Sequence, residues 1–236
     1  MSILYLIRHA QASFGQADYD YLSELGHRQA TILADHLQNL GLAFDAIYSG
    51  SQLRHEQTLA AYLEKSPKPK NPTSPAHKTD AFNEYDSENI LKALIPDMIR
   101  KEPAFEAEVV TMIADKRSFQ KVYEKVMRQW INSEKPLNNL DTWKTYSERV
   151  LSGLDNIMTT GGTDKKIAVF TSGGPISVCV QKALNLSDEM TLQLTWQIMN
   201  ASITRLKYSG NQMMLFGFND VTYLEITKDA QLLTYR

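Results

Sequence analysis

The sequence predicts an α/β fold in three layers: a mostly parallel sheet with helices on both faces and a helical cap inserted at about residues 88–140. Three observations carry this prediction. The apolar runs at 3–7 and 166–171 are short, rich in β-formers and unalternating, as strands buried on both faces are. Amphipathic helical stretches follow each run, which is the order of βαβ units. Between 88 and 140 the pattern is helical, with no strand-like run.

The first run, Ile3-Leu4-Tyr5-Leu6-Ile7, ends on Arg8 and His9, so charge stands at a strand exit. In open α/β sheets ligands bind beyond the carboxyl ends of the strands. A neutral imidazole is a competent nucleophile near pH 7, and a guanidinium grips phosphate oxygens in a fork. His9 is therefore a candidate to attack phosphorus, with Arg8 holding the phosphate. A surface Arg-His pair closing a strand is the local alternative.

Residues 11–23 read as a polar loop over the crevice. Ser23 is placed as an N-cap, with Leu25, Ala30, Leu33, Ala34 and Leu37 on one helical face and Gly41 as the stop. Residues 44–48 form a second strand, and Ser49-Gly50-Ser51 turns into a helix starting near Gln52. Arg54 falls in that helix's first turn, where the dipole disfavours a cation, so an anion such as phosphate is expected to compensate it. His55 follows directly, and the ~100° between adjacent helical residues turns it away from a pocket that Arg54 faces. Residues 65–76, with four prolines, read as an exposed connection.

Residues 78–82 are predicted as a strand, which places Glu84 at a strand exit as His9 is. A carboxylic acid there can protonate a leaving oxygen; an exposed loop glutamate is the alternative. The 88–140 region is broken by Pro96, Pro103 and Pro136. It can act as a substrate-selecting cap, a packing face or the surface of a homodimer. A helix over 142–158 precedes the strand at 166–171. Ser172-Gly173-Gly174-Pro175 then opens a helix over 176–184, with Pro175 at its first position and free amides facing an anion. Residues 196–208, 213–218 and 221–226 are predicted as strands completing the sheet.

Composition limits the function classes. At 236 residues and 43% hydrophobic, the chain suits one domain over 1–236 with a sizeable insertion. A net charge of −2 and a pI of about 6.2 give no electrostatic footprint for nucleic acid or an anionic membrane. The single cysteine, Cys179, lies in an apolar run and forms no internal disulfide framework. No basic segment precedes the first apolar run and no apolar stretch approaches ~18 residues, so a cytoplasmic protein is expected. The histidine spacings suggest no metal site and no cofactor.

Taken in order, the strand-Arg-His, strand-SGSQLR-helix, strand-Asn-Glu and strand-TSGG-helix units resemble the histidine phosphatase superfamily, the phosphoglycerate-mutase-like fold. Leu6-Ile7-Arg8-His9 matches its signature, with Ala10 where glycine is usual. Residues 20–26 with Gln29-Ala30 are similar to the segment opening its first helix, and Gln57-Thr58 completes its second arginine motif. The resemblance covers most of the chain outside 88–140. It implies that His9 is the phosphorylated nucleophile, that Arg8 and Arg54 are phosphate ligands, and that Glu84 is the proton donor. The family's fourth phosphate ligand is a second histidine. Ser172 stands at that position, and no histidine occurs after His77.

A hydroxyl in place of a charged donor forfeits roughly 1.5–3 kcal/mol, or about 10–150-fold in rate. Ser172 still donates one hydrogen bond, with Gly173 and Gly174 adding amides, and Ser172→His is expected to hold or raise the rate. The reading is a metal-independent phosphatase for phosphomonoesters, on a small molecule or a phosphoprotein, working through a phosphohistidine. The alternative is an impaired pseudoenzyme that binds phosphate or a phosphoprotein. A mutase is disfavoured because residues 11–22 lack the tryptophan and asparagine of the family's mutases. A serine hydrolase using Ser172 fails because Phe170 stands where the nucleophile elbow needs glycine.

Overall fold

The structure, a computed structural model, describes residues 1–13, 20–65, 76–134, 136 and 140–235. Most of the polar loop expected over the crevice (14–19) and of the proline connection (66–75) lies outside the described residues. The sheet is mixed and six-stranded, in the order β3-β2-β4-β1-β5-β6. Its members are β1 (Ser2–Arg8), β2 (Ala46–Ser49), β3 (His77–Lys78), β4 (Lys166–Thr171), β5 (Ile203–Ser209) and β6 (Gln212–Asp220). The β3–β2, β2–β4 and β4–β1 pairs are parallel, whereas β1–β5 and β5–β6 are antiparallel. Arg8 pairs with Thr171 and Ser49 with Phe170, so the exits of β1, β4 and β2 lie side by side at one edge of the sheet.

Alternation on the two central strands makes the three layers. Tyr5, Ile7, Ala168 and Phe170 pack with α1 (Glu24–Asn39) and α2 (Leu53–Lys65). Leu4, Leu6, Ile167 and Val169 join the cluster formed by α3 (Ser87–Lys101), α4 (Phe105–Thr111), α5 (Lys116–Ile131), α6 (Trp143–Thr160), α7 (Gly173–Leu184) and α8 (Asp188–Thr195). Period-two alternation sends successive side chains to opposite faces, so both faces of β1 and β4 need apolar residues and the run shows no polar gaps. Ser23 caps α1 by accepting from the Gly26 amide at 3.0 Å, and Gly41 closes the turn after it at φ +61°.

Four sequence expectations are corrected. Residues 221–226 form the short helix α9 (Thr222–Glu225), not a strand. Tyr223 and Leu224 drop into the core beside α1 and α2, and an apolar run this short carries no period that separates the two choices. Before β5, residues 188–195 are helical and a turn follows, so the strand expected from 196 starts at Ile203. The strand expected at 78–82 stops at Lys78. Thr79 then caps a 3₁₀ turn, Asp80–Phe82, by accepting from the Ala81 amide. Pro96 lies inside α3 without ending it: Pro96 and Lys92, whose carbonyl loses its partner, are both on the exposed side, where water can take the free oxygen.

Trp130 on α5 is fully buried and donates its indole N–H to the Asp141 carbonyl at 2.9 Å. Its ring contacts those of Tyr85, Trp143 and Tyr146, with centroids 4.9, 5.5 and 6.0 Å away. This aromatic cluster ties the 87–131 helices to the residues that carry Glu84.

Candidate active site

The exits of β1, β2 and β4 open into a cavity of about 550 Å³ lined by Arg8, His9, Arg54, Glu84 and Gly173, among others. Five of the six site residues expected from the sequence therefore face one space. Ser172, the sixth, is fully buried beside Gly173. A second hollow, of about 740 Å³, lies at the other end of β1, lined by Met1, Asp155, Lys182 and Tyr208 among others, and has no histidine in its walls.

His9 is held through its backbone. Its amide donates to the Thr171 carbonyl at 2.8 Å, and its carbonyl accepts from the Ala201 amide at 3.1 Å and from Asn200 Nδ2 at 3.3 Å. Its Nδ1 lies 2.7 Å from the Ala10 carbonyl oxygen. That oxygen can only accept, so Nδ1 carries the proton and Nε2 presents its lone pair. Burial, and then the Arg54 and Arg8 guanidinium groups, hold the imidazole well below its ordinary pKa. His9 is thus a neutral base with one free nitrogen beside two cations.

Arg8 donates to the Ile198 carbonyl, which anchors the guanidinium at the cavity wall. Arg54, at the start of α2, donates to Asp20 Oδ1 at 2.6 Å and to Gln52 Oε1 at 3.0 Å. The other Asp20 oxygen accepts from the Leu53 amide at 2.7 Å. The anion expected to compensate a cation in a helical first turn is therefore a carboxylate of the chain itself.

Glu84 is placed by three donors: the Gly174 amide at 3.1 Å, Tyr146 Oη at 3.2 Å and its neighbour's amide, Tyr85 N, at 3.2 Å. Gln52 Oε1 accepts from the Glu84 amide at 3.0 Å and so bridges Glu84 to Arg54. Gly174 is required sterically. A Cβ there would lie 2.1 Å from Glu84 Oε1 and 2.5 Å from Tyr146 Oη. The helix α7 begins at Gly173, so Pro175 is its third residue rather than its first. The Gly174 amide, expected to face an anion, is committed to Glu84. The Gly173 amide remains, with no partner inside the helix.

Sequence reasoning missed Asp20, Gln52, Tyr146 and Asn200, and it turned His55 away. His55 is fully buried, its ring centroid 5.6 Å from that of His9, and its Nε2 lies 2.6 Å from Ser172 Oγ. The ~100° rule assumes that only one face of the helix is covered. The first turn of α2 is wedged between strand exits, and Arg54 and His55 are buried together. Burial, then Arg54, holds His55 well below its ordinary pKa. Among the described residues no group of three or more histidine, cysteine or acidic side chains is set to hold a metal ion, and no helix is long and apolar enough to cross a membrane.

The depressed imidazoles carry a stability consequence. Between the folded values of His9 and His55 and the unfolded value near 6.5, the unfolded chain binds more protons, so stability rises with pH through that window. It is complete above about pH 6.5 and is lost as pH falls. Thermal midpoints measured from pH 7.5 to 5 are expected to decline below about 6.5. A flat profile would show that neither ring is held neutral.

The fold has known counterparts. A phosphoglycerate mutase from Bacillus anthracis superposes with a TM-score of 0.62 at 19% identity, covering 97% of each chain. A mycobacterial glucosyl-3-phosphoglycerate phosphatase, solved with inorganic phosphate, gives 0.62 at 16%, over 94% of this chain and 98% of that one. A phosphoserine phosphatase variant from Entamoeba histolytica, in complex with phosphoserine, gives 0.62 at 16%, over 95% and 100%. No curated protein sequence matches the chain. The model of the histidine phosphatase superfamily (branch 1) matches residues 4–221, and the chain belongs to that family.

Proposed function

We propose that this protein is a metal-independent phosphatase that transfers the phosphoryl group of a phosphomonoester to His9 and then to water. The observation that carries the reading is one imidazole, its Nδ1 proton bound and its Nε2 free, sharing a cavity with two arginines and a carboxyl group. In the first step Nε2 attacks phosphorus. The P–N bond forms, the bond to the leaving oxygen breaks, and Glu84 supplies that oxygen's proton. Arg8, Arg54 and the Gly173 amide neutralise the charge on the phosphoryl oxygens. In the second step water attacks, Glu84 takes its proton, the P–N bond breaks, and phosphate leaves with His9 restored.

The outer walls of the cavity favour a leaving group without a carboxylate. Leu91, Phe119, Tyr123 and Trp196 are apolar or aromatic there, Asp86 and Glu88 are acidic, and Arg8 and Arg54 are the only cations among the described lining residues. Helices α3 and α5 supply Leu91, Phe119 and Tyr123, in keeping with a substrate-selecting role for this region. An aryl phosphate such as para-nitrophenyl phosphate is the probe of choice. Quenching its turnover into alkaline denaturant is expected to leave a base-stable, acid-labile phosphate on His9. Binding of phosphate with neither turnover nor label would show a binding module instead.

A further inference from the structure

We propose that His55, acting through Ser172, is a positioning residue of phosphoryl transfer: its ring fills the place of an imidazole absent at 172 and turns the Ser172 hydroxyl toward the phosphoryl group. The inference rests on the phosphatase reading above.

Ser172 holds the N-cap position of α7, where a serine normally accepts from an amide of the first turn. It makes no such bond, and the local chemistry explains why. Pro175, at the third helical position, has no N–H, and the Gly174 amide is given to Glu84. Released from capping, Ser172 Oγ lies 2.6 Å from His55 Nε2, across 117 positions of sequence, and both residues are fully buried. The other nitrogen, His55 Nδ1, is buried without a hydrogen-bond partner and lies against Gly50, where a Cβ would come within 2.2 Å of it. An orphaned buried N–H is rarer than an orphaned acceptor, so the proton belongs on Nε2, which donates to Ser172 Oγ. The neutral state of His55 agrees with the direction of its pKa.

With one lone pair of Ser172 Oγ engaged, the hydroxyl proton is free to be donated. Its chain neighbour Gly173 and the ring of His9 both line the cavity, so an oxygen of the group transferred to His9 is the acceptor at hand. Each hydrogen bond in the chain His55 Nε2–H to Ser172 Oγ–H to phosphoryl oxygen polarises the next. No proton is transferred along it. The same packing revises the expectation for Ser172→His alone, because a second imidazole at 172 requires the His55 ring to leave.

The test uses the full chain with para-nitrophenyl phosphate and with the His9 label as independent readouts. His55→Leu keeps a similar volume without a donor and is expected to lower kcat by about 10–150-fold with little change in KM. His55→Gln, which returns an N–H near the Nε2 position, is expected to recover most of that loss. Ser172→Ala is expected to match His55→Leu. The double variant should lose no more than either single one, because the pair acts as one unit. The exchange His55→Ala with Ser172→His is expected to restore labelling of His9. An unchanged kcat in His55→Leu, or losses that multiply in the double variant, overturns the inference. Should His55→Leu fail to fold, Ser172→Ala and His55→Gln decide: full activity in the former, or a deep loss in the latter, refutes it. A wild-type chain that never labels His9 removes the phosphatase reading itself, whereas a labelled wild type insensitive to His55→Leu removes this inference alone.

Discussion

His9→Ala is expected to abolish both phosphomonoester hydrolysis and phosphate labelling while leaving the fold in place. The first expectation follows from chemistry. The covalent route needs a nitrogen lone pair at the strand exit, and His9 Nε2 is the one presented to the cavity beside both arginines. His55, the nearby imidazole, cannot substitute, because its Nε2 is bound to Ser172 and its Nδ1 lies against Gly50. The second follows from how the residue is held. The bonds to Thr171, Asn200 and Ala201 come from its backbone and survive the loss of the ring. Circular dichroism and thermal unfolding check the fold; steady-state hydrolysis and alkaline-quench labelling check the chemistry. A variant that still turns over at the wild-type rate shows that the nucleophile lies elsewhere.

Gly174→Ala is expected to cost nearly as much, although it removes no functional group. The added methyl would lie 2.1 Å from Glu84 Oε1 and 2.5 Å from Tyr146 Oη, closer than any contact that packing tolerates. Either the carboxyl group or the start of α7 must move. If Glu84 moves, proton transfer to the leaving oxygen is lost, a term typically worth ~10²–10⁴-fold. The diagnosis lies in the leaving group. A substrate whose alcohol is already acidic, such as para-nitrophenol, needs little protonation and should suffer far less than an alkyl phosphate. An equal loss on both would show instead that the helix start and its Gly173 amide had shifted.

Much of this site is legible in the chain because strand exits and helix starts are local features. Arg8 and His9 stand at the end of an apolar run, Arg54 just inside a helix, Glu84 after a short turn and Gly173 after a second run, and each lines the cavity. What escaped depends on distance along the chain. The pairing of His55 with Ser172 spans 117 residues, and the bond from Tyr146 to Glu84 spans 62. No local pattern records how deeply the first turn of α2 is wedged between strand ends. The misplaced strand at 221–226 has a different origin: six residues, four of them apolar, fit either period, and the space beneath α1 settles the choice.

The carboxylate of Asp20 bears on how the proposed site would meet an anionic ligand. Tethered beside Arg54 by an ion pair of 2.6 Å, it would act on the phosphatase reading as an intramolecular competitor, present at a high effective concentration. Weakly basic, singly charged anions of the surrounding medium must displace it to enter, and gain little by doing so. A phosphoryl dianion, offering two charges to two arginines, can. On the phosphatase reading, free phosphate formed at the end of a cycle would face the same rival, which would shorten its stay and keep the pocket open for the next molecule.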